Sequence, residues 1–276
     1  FRTIHYTPMS TEEKSIIIIG AGFAGLAAGI YGRLNGYKTR IFEMNSQPGG
    51  LCTSWKRKGY TFDACIHWLV GSNPDTGLNN IWQETGVVEG REFVYADEFY
   101  RAEGADGRTV VFNTDLVKLE KHLLEISPAD REPITDFIKG VRMCSKFDFP
   151  SDKDPFITRV RKQIGTFLTF MKYGGEFKKW TTVTGEQFCN RLSDPLLRQA
   201  FREIWIPEFS IVFLFFTFAY LHQRNAGYPV GGSKPMSEAL EKRYRDLGGV
   251  IHYNKRVARI LTSDSQATGI RLVDGT

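Results

Sequence analysis

Three glycines, Gly20, Gly22 and Gly25, follow directly on the run Ile16-Ile17-Ile18-Ile19. An acid, Glu43, closes the next apolar stretch, Thr39-Arg40-Ile41-Phe42. Glycines at this spacing, between a strand and a helix of small residues (Ala24 to Leu34), suit the binding of a pyrophosphate. Gly20 permits the tight turn, and Gly22 lets the backbone approach the phosphates with no Cβ in the way. Gly25 lets the helix pack close on the strand. The helix N-terminus then points free N–H groups and a partial positive charge at the ligand. Glu43 lies 18 residues after Gly25. An acid there accepts hydrogen bonds from an adenosine ribose and repels a 2′-phosphate, which favours FAD or NAD over NADP. The expected chemistry is dinucleotide binding on a unit that starts with a buried strand.

Other chemistries are poorly supplied. Cys52, Cys65, Cys144 and Cys189 form no C-x-x-C pair and no metal-ligand spacing, and they read as reduced thiols of an intracellular protein. No metal site is expected. Cys52 and Cys65 flank one region and could be taken as redox partners, but packing or cofactor-lining roles are favoured. The 36 basic and 31 acidic side chains leave a net charge of +5, scattered along the chain, so nucleic acid is not an expected partner. Phe1 to Lys14 is polar and lacks the apolar core of a signal peptide, and Met9-Ser10-Thr11 reads as a natural translation start.

The 276 residues allow one large domain or two smaller ones. After the first βαβ unit comes a loop, Asn45 to Trp55, then a short strand at Gly59 to Asp63. Strands are expected at Phe93 to Ala102 and Thr109 to Phe112 around an Asp106-Gly107 turn. Helices are expected at Asp115 to Ile126 and Ala129 to Phe147, broken at Ser127-Pro128. Residues 150–222 show mostly helical periodicity with many aromatics. The α/β rhythm returns with Gly231-Gly232, a helix from Lys234 to Leu247, Gly248-Gly249, and strands at Val250 to Tyr253 and Val257 to Leu261. Gly269 to Thr276 reads as a strand entering an Asp-Gly turn, the first arm of a hairpin, so a C-terminally truncated chain is expected.

Together the glycine clusters Gly20/Gly22/Gly25, Pro48-Gly49-Gly50 and Pro229-Val230-Gly231-Gly232, with Glu43, Gly248-Gly249 and Val257, resemble the FAD-dependent oxidoreductases of the phytoene desaturase type. These lie within the wider amine oxidase-like superfamily. The resemblance covers most of 14–70 and 226–276. It implies an α/β fold in which a Rossmann-like FAD-binding domain with a parallel sheet (1–91 and 227–276) is interrupted by a mixed strand-and-helix substrate domain (92–226). It also implies that Ala21, Gly22, Phe23 and Ala24 line the pyrophosphate and that Glu43 holds the ribose. Met44, Gly49, Gly50, Leu51 and Cys52 would run beside the cofactor, and the Val257 backbone would face the adenine. The family's closing glycine motif, which completes the flavin site, has no counterpart in these residues.

By the same resemblance, the segment Phe62 to Gly71 falls near the isoalloxazine ring. His67 is then the candidate proton carrier or polar contact. A partly buried histidine bonded to backbone is the favoured alternative for catalysis in the strict sense. Lys56-Arg57-Lys58 reads as a solvated loop, and Asp63 as a residue that caps or orients its segment. Ile211 to Leu221 is too short to span a bilayer and reads as a buried helix, with a substrate-tunnel wall as the alternative. Phe167 to Trp180 mixes rings with Lys172, Lys178 and Lys179, a blend suited to a membrane surface, with a solvated face carrying ordinary core aromatics as the alternative.

The resemblance implies hydride transfer between flavin N5 and a C–H or C=C bond of an apolar, polyene or isoprenoid-like substrate. Desaturation, saturation and isomerisation all belong to that chemistry. An amine oxidase or protoporphyrinogen oxidase-like enzyme shares the glycine framework. So does a non-catalytic binder of prenylated proteins like the GDP-dissociation inhibitors, which lack an intact phosphate turn. A cytoplasmic protein with peripheral membrane contact is expected.

Overall fold

A computed structural model describes residues 14–63, 65–147 and 156–276. The start expected at Met9 lies outside them. The chain divides into two compact units. The first comprises Phe1–Ile66, Glu84–Glu89 and Gly231–Thr276, and the second His67–Gln83 and Gly90–Val230. Compactness thus groups residues 67–83 with the second unit, whereas the sequence pattern draws the boundary at 91/92.

The first unit opens with β1 (Ser15–Ile19), α1 (Phe23–Leu34) and β2 (Lys38–Phe42). β2 buries alternate residues, Thr39 and Ile41. α1 buries Leu26, Gly29, Ile30 and Gly32. The expectation of a buried β1 is corrected: Ile16 and Ile19 are 37% and 50% exposed. Among the described residues β1 pairs only with β2, so its far edge gains no cover from a neighbouring strand.

The loop expected at residues 45–58 is also corrected in part. Ser54–Arg57 forms β3 and pairs antiparallel with β4 (Tyr60–Asp63). Trp55 and Phe62 stack across it at 5.9 Å. Lys56 and Arg57 are exposed strand residues, and Lys58 and Gly59 turn the hairpin with positive φ. Basic side chains on a solvent-facing hairpin hide the apolar alternation that marks a strand.

The second unit runs through β5 (Leu69–Val70), α2 (Gly77–Glu84), β6 (Phe93–Val94), β7 (Glu98–Glu103) and β8 (Thr109–Asn113). Next come α3 (Leu116–Ile126) and, after a single 3-10 turn at Pro128–Asp130, α4 (Arg131–Cys144). Then follow α5 (Phe156–Thr181), α6 (Gly185–Cys189), α7 (Pro195–Glu203), α8 (Val212–His222) and β9 (Ala226–Pro229).

Local chemistry sets these boundaries. Asp115 caps α3 by accepting from the Val117 and Lys118 amides, and Thr184 and Gln187 form a reciprocal capping box on α6. α7 starts on Asp194 followed by Pro195.

Buried Asp130 knits the helices together. It accepts from the Ser127 hydroxyl (2.8 Å), the Ser193 hydroxyl and amide (both 2.6 Å) and the Asp194 amide (3.0 Å). The unit is filled by an aromatic core: Phe112, Phe137, Phe188, Phe215 and Phe218 are fully buried. Phe137 meets Phe201, Phe215 and Phe218 edge-on at 5.1 to 5.6 Å. α8 supplies Phe215 and Phe218 and is the buried helix expected from Ile211 to Leu221. α4 crosses α8 at Gly140, where a Cβ would collide with the Phe215 ring.

The chain returns to the first unit through α9 (Ser233–Asp246), β10 (Val250–His252), β11 (Val257–Ser263) and β12 (Gln266–Leu272). β10 lies parallel to β2, with Ile251 opposite Ile41, giving the sheet order β1-β2-β10. α9 packs on α1 through glycine: a Cβ on Gly29 would stand 2.7 Å from the Tyr244 ring. The Tyr244 hydroxyl meets Thr39 Oγ1 at 2.9 Å. The strand expected near Gly269 is β12, which pairs antiparallel with β11.

Candidate cofactor site

The three opening glycines perform three separate jobs. Gly20 takes φ +96°, and its amide donates to the Phe42 carbonyl at 2.8 Å, joining the turn to the end of β2. Gly25 lies so close to Gly20 that a Cβ there would overlap the Gly20 carbonyl oxygen. Gly22 is different. A Cβ on it would meet nothing nearer than 4.0 Å, where Gly49 O and Gly50 Cα stand. Space over Gly22 is therefore open, and Gly22 has φ −70°, so the fold itself does not demand glycine there. α1 begins at Phe23 with no side-chain cap, leaving its first-turn N–H groups aimed at that space. This is the cradle a pyrophosphate needs.

The second glycine cluster builds the opposite wall. Gly49 N–H donates to the Ala21 carbonyl at 2.8 Å, and Gly22 and Gly49 form an isolated parallel bridge. Gly49 (φ +112°) has no room for a side chain, because a Cβ would strike the Cys52 carbonyl. The third cluster caps α9. Gly232 has φ +75°, and a Cβ there would collide with the Asp63 carboxylate. Asp63 accepts from the Ser233 amide, from Ser233 Oγ at 2.7 Å and from the Cys65 amide at 3.2 Å. Ser233 Oγ in turn accepts from the Ile66 amide at 3.2 Å. Burial opposes ionisation of Asp63, but these donors outweigh it and hold its carboxyl below the usual aspartate range.

Glu43 is 5% exposed and stands just past β2. Its Oε2 accepts from the Ala21 amide at 2.7 Å and its Oε1 from the Asn45 amide at 2.8 Å. Each oxygen keeps one acceptor position, so a ribose hydroxyl can still be received. Ala21 is fully buried, with its N–H committed to Glu43 and its C=O to Gly49. It therefore shapes the turn and offers no free polar group to a ligand. Phe23 and Ala24 occupy the first turn of α1. Met44 is exposed and Leu51 is 90% exposed, two apolar side chains beside the turn facing solvent. Cys52 is half-buried, and Val257 opens β11 opposite Leu272.

His67 belongs to the second unit. With Trp68, Phe99, Leu221 and Tyr228 it lines a cavity of about 260 Å³. An edge-on chain of rings, Trp68 to Phe99 at 5.3 Å and Phe99 to Phe218 at 5.5 Å, ties this wall to the aromatic core. Trp180, expected as an interfacial ring, is instead buried against Phe215 at 5.6 Å.

Sequence reasoning missed two features. The Asp63–Ser233 clasp joins residues 170 apart, and the sequence marks only its Asp63 side, as a residue that caps or orients its segment. The double anchoring of Glu43 carries no sequence signal beyond the acid itself. Among the described residues no cluster of His, Cys, Asp or Glu could hold a metal ion.

The open space over Gly22, the uncapped start of α1 and the residual acceptors of Glu43 fit the diphosphate and ribose of FAD. Residues 18–85 match the NAD(P)-binding Rossmann-like domain family. A lycopene-forming phytoene desaturase of Pseudescherichia vulneris is 26% identical over 272 residues, covering 95% of this chain and 53% of that protein. The neurosporene-forming phytoene desaturase of Rhodobacter capsulatus is 28% identical over 268 residues, covering 94% and 50%. Among solved structures, an oxidoreductase from Methanosarcina mazei superposes with a TM-score of 0.55 at 21% identity, over 94% of this chain and 56% of that one. The chain spans about half the length of the curated relatives it matches.

Turn, sheet and relatives agree on the class: the first unit holds a Rossmann-like dinucleotide-binding fold, and the chain is similar to members of the superfamily of FAD-dependent oxidoreductases. Within that superfamily its similarity is to the phytoene desaturases.

Proposed function

We propose that the whole protein is an FAD-dependent desaturase, saturase or isomerase acting on a C–H or C=C bond of an apolar, polyene or isoprenoid-like substrate. The observation that carries this reading is the open cradle over Gly22, walled by Gly49 and Gly50 and backed by Glu43. Bound FAD would supply hydride acceptance or return at its N5. The chain's own residues bind and orient. The α1 amides receive the diphosphate, the remaining Glu43 lone pairs receive a ribose hydroxyl, and Met44 and Leu51 offer apolar contact. In the second unit, the ring-lined cavity at His67, Trp68 and Tyr228 supports an apolar substrate, with the His67 imidazole in its lining. The prenyl-protein binder is not favoured, because Gly20, Gly22 and Gly25 form an intact phosphate turn.

The test is the absorption spectrum of the purified full-length protein, followed by anaerobic mixing with polyenes. Flavin bands that bleach with a polyene are expected. A colourless protein, or a flavin left oxidised by every apolar candidate, would overturn the assignment.

Cytoplasmic residence with peripheral membrane contact is part of the same proposal. Among the described residues no helix is long and apolar enough to cross a membrane. α5 exposes Ile157, Ile164, Leu168 and Met171 at helical spacing on one face, beside Arg161 and Lys172. Apolar side chains flanked by cations suit an anionic lipid surface. Co-sedimentation with phosphatidylglycerol vesicles but not phosphatidylcholine vesicles is expected, and replacing Leu168 and Met171 by Ser should abolish it.

A further inference from the structure

Two half-buried thiols in the cofactor-binding unit have no part in the chemistry described so far. The sulfurs of Cys52 and Cys65 lie 3.2 Å apart. A disulfide holds its sulfurs at about 2.05 Å, so an approach of roughly 1.2 Å would join them. The β3–β4 register explains why they meet. Ser54 pairs with Asp63. Cys52 and Cys65 lie two residues beyond that pair, one on each arm of the hairpin.

Each thiol is wired to one wall of the site. The Cys52 amide donates to the Gly49 carbonyl at 2.9 Å, and the Cys52 carbonyl fills the place a side chain on Gly49 would need. Gly49 bridges to Gly22. On the other arm, the Cys65 amide donates to Asp63, which clasps Ser233 at the head of α9. We propose that Cys52 and Cys65 form a reversible disulfide that locks the Gly49–Gly50 loop against the phosphate turn. The locking rests on the FAD reading above; the disulfide does not.

The oxidant is a low-molecular-weight disulfide such as oxidised glutathione. One cysteine thiolate attacks it and expels a thiol, forming a mixed disulfide. The second cysteine sulfur then attacks the protein-bound sulfur and expels the other thiol. One S–S bond forms in the protein and one is lost from the reagent. Two electrons and two protons leave the cysteines and appear in two small thiols. Burial first, then the Cys65 thiol and the Asp63 charge, push the Cys52 thiol up to about 12. Cys52 is therefore protonated at neutral pH, and the pair answers a sustained change in thiol–disulfide balance rather than a brief pulse. Cys144 and Cys189 are buried in the second unit, and burial pushes their thiols up to about 12 and about 11. They serve as inert references.

The full-length protein would be equilibrated across glutathione/glutathione disulfide ratios, quenched in acid, and mapped by mass spectrometry without reduction. Trypsin cutting at Lys56, Arg57 and Lys58 separates the two cysteines into peptides 41–56 and 59–91. Expected at the oxidising end are a cross-link between those peptides and the loss of both Cys52 and Cys65 from the free thiols. Cys65→Ser should instead give a glutathione adduct on Cys52 and no cross-link. Cys52 and Cys65 both free at the oxidising end, or cross-linked to Cys144, Cys189 or a second chain, would overturn the proposal. Release of FAD into excess apo-acceptor should be several-fold slower from the oxidised protein than from the reduced one, and equal rates would overturn the locking. A colourless protein that still cross-links would sink the FAD reading while leaving the disulfide standing.

Discussion

The two units solve opposite problems. In the second, side chains fill space: five phenylalanines are fully buried, and Phe137 meets Phe201, Phe215 and Phe218 edge to face. In the first, side chains are withheld from space. Gly22 leaves a volume open, Gly25 and Gly29 let backbone and rings approach, and Ile16 and Ile19 on β1 remain exposed. One region derives its stability from volume, and the other its binding capacity from missing volume. A substitution that adds atoms should therefore cost binding in the first unit, and one that removes atoms should cost stability in the second.

The sharpest break between these behaviours is Gly22→Val. Its side chain would enter open space at an ordinary φ, so the thermal midpoint should hold, while flavin occupancy of the full-length protein falls to background. Occupancy measured by absorbance after desalting checks this, and retained flavin would refute the cradle. The converse is Phe137→Ala in the aromatic core. It should cost about 3–5 kcal/mol in urea unfolding, with flavin occupancy under native conditions unchanged.

A smaller effect is expected at Asp130. Asp130→Asn should destabilise by about 1–3 kcal/mol, because the Ser193, Asp194 and Ser127 donors lose their charged acceptor. The pH dependence has a definite sign. Burial raises the Asp130 pKa, but hydrogen bonds led by the Ser193 hydroxyl outweigh it, so the folded value lies below that of the unfolded chain. Its contribution is thus complete above the unfolded value of about 3.9 and is lost as pH falls through the folded value. The wild type should weaken on that acid limb and Asp130→Asn should weaken less, as read by urea midpoints across the range. Asp63 follows the same sign in the first unit. The smallest effect is Lys242→Ala, which breaks an exposed ion pair with Asp246. It should move stability by no more than about 0.5 kcal/mol in either direction.

What was legible in the sequence follows the same division. Glycine marks backbone shape locally, so the Gly20–Gly25 turn, the Gly49 wall and the Gly232 cap could all be located by letter and spacing. Asp115, the N-cap of α3, likewise marks its helix start by letter and position. Distant partners leave no such trace. Glu43 was expected to face a ribose, but nothing local shows that the Ala21 and Asn45 amides already hold it. The Cys52–Cys65 meeting depends on the register of a hairpin whose basic residues read as loop. Burial was misjudged at β1, where an isoleucine run suggests a strand covered on both sides. Burial depends on neighbours, and β1 pairs only with β2 among the described residues.

The crossing of α4 and α8 has a consequence for sequence drift. Gly140 and Phe215 share one volume, with the ring occupying the place a side chain on residue 140 would need. Neither position is free to change alone: alanine at 140 would displace the ring, and leucine at 215 would leave a hollow. Across homologues the two positions should trade size, a larger residue at 140 accompanying a smaller one at 215. An alignment in which they vary independently would show that the helices shift to accommodate each change.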